Sequence, residues 1–155
     1  TNWNPDLIYS DNETVHPTSN YYVQRAFGQN AGDEYIYSDI RTESVSKGNK
    51  QRASREIQER LDKSVVVDSK TGDIIIKLVS MLPKQSHMEI NLGDIDMKGY
   101  STTADLTVMS GEGDPNRQRD WGVNETKPLE IGARFSLTLP KYSFSIIRIK
   151  KIQTK

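Results

Sequence analysis

The 155-residue sequence contains no cysteine and only two histidines, His16 and His87. The lack of cysteine excludes disulfides, thiol catalysis and thiolate metal sites, and two histidines leave almost no basis for a histidine-rich metal centre. We therefore expect no cofactor and no metal. The 21 Lys and Arg residues balance the 21 Asp and Glu residues. Because the molecule has no excess positive charge to attract phosphates, we expect no nucleic-acid partner.

Long hydrophobic runs are also missing. The longest aliphatic clusters are Val65–Val67 and Ile74–Ile76, far short of the ~20 apolar residues that span a bilayer, so we expect no membrane partner. Residues 1–6 have neither the basic nor the apolar segment of a signal peptide, and residue 1 is not Met. These features suggest a processed chain or an excised fragment, and they leave its localisation open.

The second half of the sequence has the pattern of a β-sandwich or barrel. From Leu61 onward, short runs of β-type residues alternate with turn signals. The run Asp68–Asp73 is typical of a hairpin turn in which Gly72 adopts a positive φ. The predicted strands are Leu61–Val67, Ile74–Val79, His87–Leu92, Ala104–Met109, Leu129–Ile131, Arg134–Leu139 and Tyr142–Ile149.

The last of these strands has apolar residues on both faces. Phe144 and Ile146 share one face, whereas Ile147 and Ile149 share the other. We expect either a central strand of a sheet or a strand that is bulged at positions 146–147.

The first 30 residues have a different pattern. A short apolar run ends at Tyr9, and a polar loop separates it from a predicted helix over Ser19–Phe27. Thr18 or Ser19 can cap the start of this helix, and Gly28 can end it in a left-handed conformation. Strand, loop and helix in this order form half of a βα unit.

Residues 31–60 carry few apolar side chains. Segment 41–52 contains a single aliphatic residue, so we expect a surface loop there. Ala53, Ile57 and Leu61 would face one side of a helix, but the same region also fits an early strand. We favour a strand that begins at about Leu61.

Several acidic and aromatic residues invite a functional interpretation. The dipeptides Asn12-Glu13 and Asn124-Glu125 resemble the Asn-Glu acid/base motif of barrel glycosidases, but two residues are a weak signal, and polar turns are the better interpretation. Trp121, in a long loop, could stack on a sugar ring or plug the end of the sandwich. It is our one candidate for substrate binding.

The remaining candidates favour structural roles. The spacing of Asp114, Asn116 and Asp120 could donate oxygens to calcium, yet the pattern of an EF-hand loop is absent and an ordinary turn is favoured. His87 begins an alternating strand without a catalytic partner at an informative spacing. We predict no metal site and no catalytic residue.

Two N-terminal segments carry a family resemblance. The run Trp3–Tyr9 and the segment Tyr21–Phe27 resemble the last strand and last helix of the catalytic barrel in α-L-arabinofuranosidases of glycoside hydrolase family 51. At Ser10 the family commonly has an aromatic residue, so the rim of the active site differs here. Further landmarks follow in the family's order: Gly32-Asp33, Asp68 with the turn Lys70–Asp73, Ile74–Ser80, Asn91-Leu92 and Leu139–Ile149.

The resemblance implies a mainly β fold, a jelly-roll-like sandwich preceded by the last strand and helix of a (β/α)8 barrel. Residues 1–30 would be the barrel remnant, 31–60 an irregular connection and 61–155 the sandwich. In this family the acid/base Glu and the nucleophile Glu lie on the fourth and seventh barrel strands, upstream of Thr1. Neither is carried over to a residue of this sequence, and only the loop from Ser10 to His16 would lie at the rim of the sugar pocket.

The resemblance also implies a function for the intact protein. The parent would be a retaining enzyme that removes terminal arabinofuranosyl groups from arabinan or arabinoxylan, secreted or periplasmic in location. This chain would be its non-catalytic C-terminal domain, bracing the upstream barrel and available for homo-oligomer contacts. The alternative is a carbohydrate-binding module in which Trp121 and nearby tyrosines stack on an arabinose-containing polysaccharide.

The absence of both family carboxylates generates the first prediction. We expect the purified chain alone to release no arabinose from aryl arabinofuranosides, measured against a buffer blank. Turnover that survives repurification and is lost in a Glu13→Gln variant would contradict this expectation.

Overall fold

The computed structural model describes residues 8–10, 13, 15–46, 49–110 and 125–152. The elements of its first part are β1 (Ile8–Ser10), β2 (Val15–Pro17), α1 (Ser19–Gln29), β3 (Glu34–Tyr35), β4 (Glu43–Ser46), β5 (Asn49–Arg52) and α2 (Arg55–Gln58). The longer strands follow as β6 (Leu61–Asp68), β7 (Asp73–Ser80), β8 (Ser86–Asn91), β9 (Thr103–Ser110), β10 (Glu125–Glu130), β11 (Arg134–Leu139) and β12 (Ser143–Ile149).

The architecture is a mainly β sandwich, as predicted. An antiparallel six-stranded sheet has the order β10-β9-β12-β7-β6-β3, and the antiparallel pair β8 and β11 forms a second layer. The main core lies between the layers, and its apolar side chains alternate with exposed ones along β11, where Phe135, Leu137 and Leu139 are buried. The other buried members of this core are Val65, Ile74, Ile76, Leu78, Leu92, Ala104, Ile131, Ile147 and Ile149.

Strand β12 occupies the centre of the six-stranded sheet. It pairs without interruption with β7 on one side and β9 on the other. Ile147 and Ile149 face the main core, whereas Phe144 and Ile146 lie in a second cluster on the opposite face. The prediction of a central strand is therefore confirmed, and the bulge alternative is wrong.

Helix α1 covers this opposite face. Its Ala26 packs with four sheet residues in what we call the helix-side core, whose members are Ala26, Ile75, Met109, Phe144 and Ile146. Tyr22 and Val23 of the helix pack against the same cluster. The centre of the six-stranded sheet is thus buried on both faces. This burial explains why nearly all residues of β7 are buried and most of them are apolar.

The start of α1 follows the prediction, but its end does not. Thr18 is the N-cap, and its Oγ1 accepts a hydrogen bond from the Tyr21 backbone N–H at 3.4 Å. Gly28 does not end the helix, which continues to Gln29. Asn30 ends it instead, because its side-chain amide and its backbone N–H both donate to the Ala26 carbonyl, at 3.0 and 3.2 Å. These bonds satisfy a terminal carbonyl without a left-handed residue.

Two predictions for the first half of the chain are corrected. The expected loop over 41–52 contains the hairpin of β4 and β5, because backbone hydrogen bonds pair these strands without a hydrophobic alternation to reveal them. The expected loop after β1 contains β2, which pairs with β1 antiparallel and places Tyr9 opposite His16. For residues 53–61, the helix and the strand alternatives each hold in part. The short helix α2 covers Arg55–Gln58, and the strand begins at Leu61, as favoured.

Strand β10 is longer than predicted. It begins at Glu125 rather than at Leu129, and Pro128 lies within it. Proline lacks a backbone N–H and is excluded from central strands, but β10 is an edge strand that pairs with β9 alone. In the described part of the chain, neither helix is long and apolar enough to cross a membrane.

The burial of Phe144 generates the second prediction. Phe144 is 6% exposed, whereas Tyr37 is 80% exposed. We expect Phe144→Ala to lower the free energy of unfolding by about 3–5 kcal/mol because it opens a cavity in the helix-side core. Tyr37→Ala should change it by less than about 0.5 kcal/mol. Denaturant titrations of the two variants make the comparison, and equal losses would contradict the assignment.

Candidate functional site

Of the two Asn-Glu dipeptides, the structure describes only the glutamates, and these lie in different parts of the fold. Glu13 is exposed between β1 and β2, and Glu125 begins β10 at the edge of the six-stranded sheet. Their partners Asn12 and Asn124 lie outside the described residues, as does Trp121. The calcium candidates Asp114, Asn116 and Asp120 also lie outside them.

The two histidines do not form a metal site with described neighbours. His16 lies in β2, and His87 is exposed on β8, opposite Thr138 of β11. Within the described ranges, no three His, Asp or Glu side chains are grouped so that they could hold a metal ion.

A partly buried cluster of charged side chains lies at the turn between β6 and β7. Arg148 of β12 donates from Nε to Asp73 Oδ2 at 2.7 Å and from Nη2 to Asp68 Oδ2 at 3.1 Å. Asp73 Oδ1 also accepts the Lys151 backbone N–H at 3.0 Å. We call Arg148, Asp68 and Asp73 the turn clamp, because they tie the end of β12 to the turn that joins β6 and β7.

The electrostatics of the turn clamp argue against acid catalysis. Partial burial acts to raise the pKa of Asp68. Hydrogen bonds from the Lys70 backbone N–H, the Thr71 hydroxyl and Arg148 outweigh this effect together with the positive charge of Arg148, and they hold that pKa below its usual value. The general acid of a glycosidase needs a raised pKa. The clamp therefore has the chemistry of a structural ion pair.

A second structural junction explains the Gly32-Asp33 step. A Cβ on Gly32 would lie 2.5 Å from Val66 Cγ2 and 2.7 Å from the Val67 carbonyl oxygen, so only glycine fits against β6. Asp33 then accepts hydrogen bonds from the Ser69 hydroxyl and from the Ser69 backbone N–H, which hold the pKa of its carboxyl below its usual value. The step fastens the segment after α1 to the β6–β7 turn.

The helix-side face also holds a buried cation. Lys77 lies in the middle of β7, is 7% exposed, and places its Nζ 5.1 Å from the centre of the Phe27 ring. Phe27, in the last turn of α1, stacks on Phe144 with ring centres 4.8 Å apart and planes 3° apart. Burial lowers the pKa of Lys77, because a desolvated ammonium group is less favourable. Lys77 is not among the residues predicted to be functional, although a single lysine within the apolar run Ile74–Val79 is a recognisable signal.

Two tyrosines form an exposed aromatic pair at the edge of the sheet. Tyr35 is 63% exposed and Tyr37 is 80% exposed. The Tyr37 hydroxyl donates to Asp39 Oδ1 at 3.1 Å, and this bond raises the pKa of Tyr37. The two residues are separated by Ile36, which packs against the main core, so their rings project from the same side of the backbone.

A groove lies beside the hairpin of β4 and β5. Its volume is about 380 Å³, and it is lined by Ile40, Arg41, Thr42, Glu43, Gln51, Arg52 and Gln58. Small-molecule sites are usually lined by apolar and aromatic side chains around a few polar groups. The residues that line this groove are polar or charged apart from Ile40, and none is aromatic. We therefore assign no ligand to it.

Comparison with known families identifies the domain. The family model for the alpha-L-arabinofuranosidase C-terminal domain matches residues 1–143. The chain belongs to this family.

Solved structures share the fold. A structure of an arabinose-bound GH51 α-L-arabinofuranosidase aligns with a TM-score of 0.74 and 23% identity over 97% of this chain and 22% of its own. The thermostable GH51 enzyme from Thermotoga petrophila RKU-1 aligns with a TM-score of 0.68 and 12% identity over 93% of this chain and 31% of its own. For the α-L-arabinofuranosidase from Thermotoga maritima, the TM-score is 0.66 and the identity 17%, over 92% and 31% of the two chains.

This chain therefore spans less than a third of the length of these solved enzymes. A search of curated proteins gave no significant match.

The turn clamp generates the third prediction. Because the pKa of Asp68 is lowered on folding, its carboxylate stabilises the fold above the usual value of 3.8, and this contribution is lost as the pH falls through the lowered pKa. We expect Asp68→Asn to reduce stability at pH 7 and the difference from the wild type to shrink below pH 3.8.

The matched control is Asp94→Asn, in an exposed turn. Denaturant titrations from pH 7 to pH 3 should show no comparable loss for this variant. A deficit of Asp68→Asn that stays constant across the whole range would show that the effect does not depend on the carboxylate charge.

Proposed function

We propose that this chain is the non-catalytic C-terminal domain that braces the catalytic barrel of a retaining α-L-arabinofuranosidase. One observation carries the proposal: helix α1, which resembles the last helix of the barrel, shares a hydrophobic core with the six-stranded sheet. A helix that belongs to the barrel and packs inside the sandwich would join the two parts through a common core.

The contacts of α1 make separation of the helix from the sheet unfavourable. Ala26 is 4% exposed, and Phe144, Met109 and Ile146 beneath it are 6%, 1% and 2% exposed. Full burial of a large apolar side chain contributes about 1.5–3 kcal/mol. Withdrawal of α1 would return several such side chains to water, so the barrel and the sandwich are expected to unfold together.

The chemistry of the parent is assigned to residues upstream of this chain. The parent would remove terminal arabinofuranosyl groups from arabinan or arabinoxylan through a covalent glycosyl-enzyme intermediate, which requires two carboxyl groups about 5–5.5 Å apart. Residues 1–30 would complete the barrel, 31–60 would connect and 61–155 would form the brace. The turn between β1 and β2 would lie at the rim of the sugar pocket, since barrel active sites lie at the carboxyl ends of strands.

The shared core generates the fourth prediction. Ala26→Asp buries a charge against Phe144 and Met109, so in the parent enzyme we expect a loss of several degrees in the melting temperature and faster thermal inactivation. At a temperature where the variant is folded, kcat/KM for an aryl arabinofuranoside should be near the wild-type value, because the substitution is in a brace.

The matched control is Gln24→Asp, an exposed position on the same helix. Calorimetry of the parent should show one transition for the wild type and for this control. Separate transitions for barrel and sandwich, or equal melting temperatures for Ala26→Asp and Gln24→Asp, would refute the bracing role.

The exposed pair of Tyr35 and Tyr37 favours a second candidate function. Alternate residues of an extended segment are about 7 Å apart along the backbone, so two aromatic side chains at this spacing could stack on successive sugars. The chain would then be a carbohydrate-binding module.

Affinity electrophoresis separates the two functions, and it generates the fifth prediction. For a brace, we expect the chain to migrate equally in gels with and without arabinoxylan. Retardation by arabinoxylan that is lost in both Tyr35→Ala and Tyr37→Ala would support the module instead.

A further inference from the structure

Lys77 is a buried cation without a described anion. In the described part of the chain, its Nζ takes part in no ion pair and donates no hydrogen bond. The ammonium group lies over the face of Phe27 instead, with Nζ 5.1 Å from the ring centre. Lysines are rarely buried unless they are paired, because removal of the ammonium group from water is costly. A burial of this kind suggests that the partner comes from outside the described residues.

In the described residues, no carboxylate of the elements around Lys77 pairs with it, and the two nearest the β6–β7 turn, Asp68 and Asp73, pair with Arg148. Arg25 is the one charged residue of α1, and it is a cation. The register places Lys77 opposite Ile146 of β12 and Ser64 of β6. Asp62 lies on the same face of β6, but it is exposed and accepts the Lys63 backbone N–H at 2.7 Å.

The position of Lys77 indicates where its partner would approach. Lys77 is 7% exposed, and its Nζ lies beside the ring of Phe27. Phe27 is 42% exposed and lies in the last turn of α1, the helix that resembles the last helix of the barrel. The solved relatives are more than three times as long as the part of them that this chain matches. Because α1 resembles the last helix of the barrel, the rest of the barrel would lie beside this helix.

We propose that Lys77 is an ion-pairing contact between the sandwich and the catalytic barrel, and that its ammonium group binds a carboxylate which the barrel presents beside Phe27. The inference rests on the proposed bracing function and adds the chemistry of the contact. The ring of Phe27 holds the ammonium group by a cation–π interaction and shields the pair from water. The stack of Phe27 on Phe144 fixes that ring, so the ion pair is oriented by the helix-side core.

Variants of Lys77 in the parent enzyme and in this chain alone test the proposal. In the parent, Lys77→Met should lower the melting temperature by several degrees, because it leaves a barrel carboxylate buried without a partner. Lys77→Arg should retain most of the stability, since a guanidinium group also pairs with a carboxylate, whereas Lys77→Gln should not. In the isolated chain, Lys77→Met should keep or raise the melting temperature, because it removes an unpaired buried charge.

The control is Lys63→Met, a lysine of the neighbouring strand on the other face of the sheet. It should shift the parent and the isolated chain by the same amount. Equal losses for Lys77→Met in both proteins, or rescue of the parent by Lys77→Gln as well as by Lys77→Arg, would overturn the ion pair. Failure of the bracing function is distinguishable, since it would appear as separate barrel and sandwich transitions in the wild-type parent.

Discussion

The burial of the six-stranded sheet on both faces is the constraint on which the rest of this structure depends. Strands β7 and β12 lie at its centre, and they place one set of apolar residues against β8 and β11 and another set against α1. An antiparallel sheet can remain stable with one face in water. Here the second face carries Ile75, Phe144 and Ile146, so the fold requires a cover, and α1 provides it.

This constraint underlies the proposed bracing role. The ion pairs of Arg148 and the junction at Asp33 hold the β6–β7 turn in place. The pKa values of Asp68 and Asp33 are lowered, whereas acid catalysis needs a raised carboxyl pKa. The groups that remain unusual, Lys77 and the half-exposed Phe27, lie on the side covered by the helix. The chain belongs to the α-L-arabinofuranosidase C-terminal domain family, and the role we propose for these two residues is attachment to the rest of the enzyme.

The sequence predicts the long apolar elements well and the polar ones poorly. The two-faced pattern of Phe144 to Ile149 predicts a central strand, and Thr18 predicts the start of α1, because burial and capping leave direct marks in the sequence. The hairpin of β4 and β5 leaves none, since backbone groups alone pair its strands. The environment of Lys77 depends on which helix covers the sheet, and this tertiary contact leaves no local pattern in the sequence. The substrate candidate Trp121 lies outside the described residues, so its role stays a prediction.

Native-state hydrogen exchange of this chain tests the central claim most directly. If α1 and the six-stranded sheet share one core, the backbone amides of Val23 to Phe27 should exchange with the same free energy as those of β7 and β12 when denaturant is raised towards the unfolding transition. Exchange of the helix amides at a much lower free energy, while the strand amides stay protected, would contradict the account. It would show that α1 detaches freely and cannot join a barrel to the sandwich.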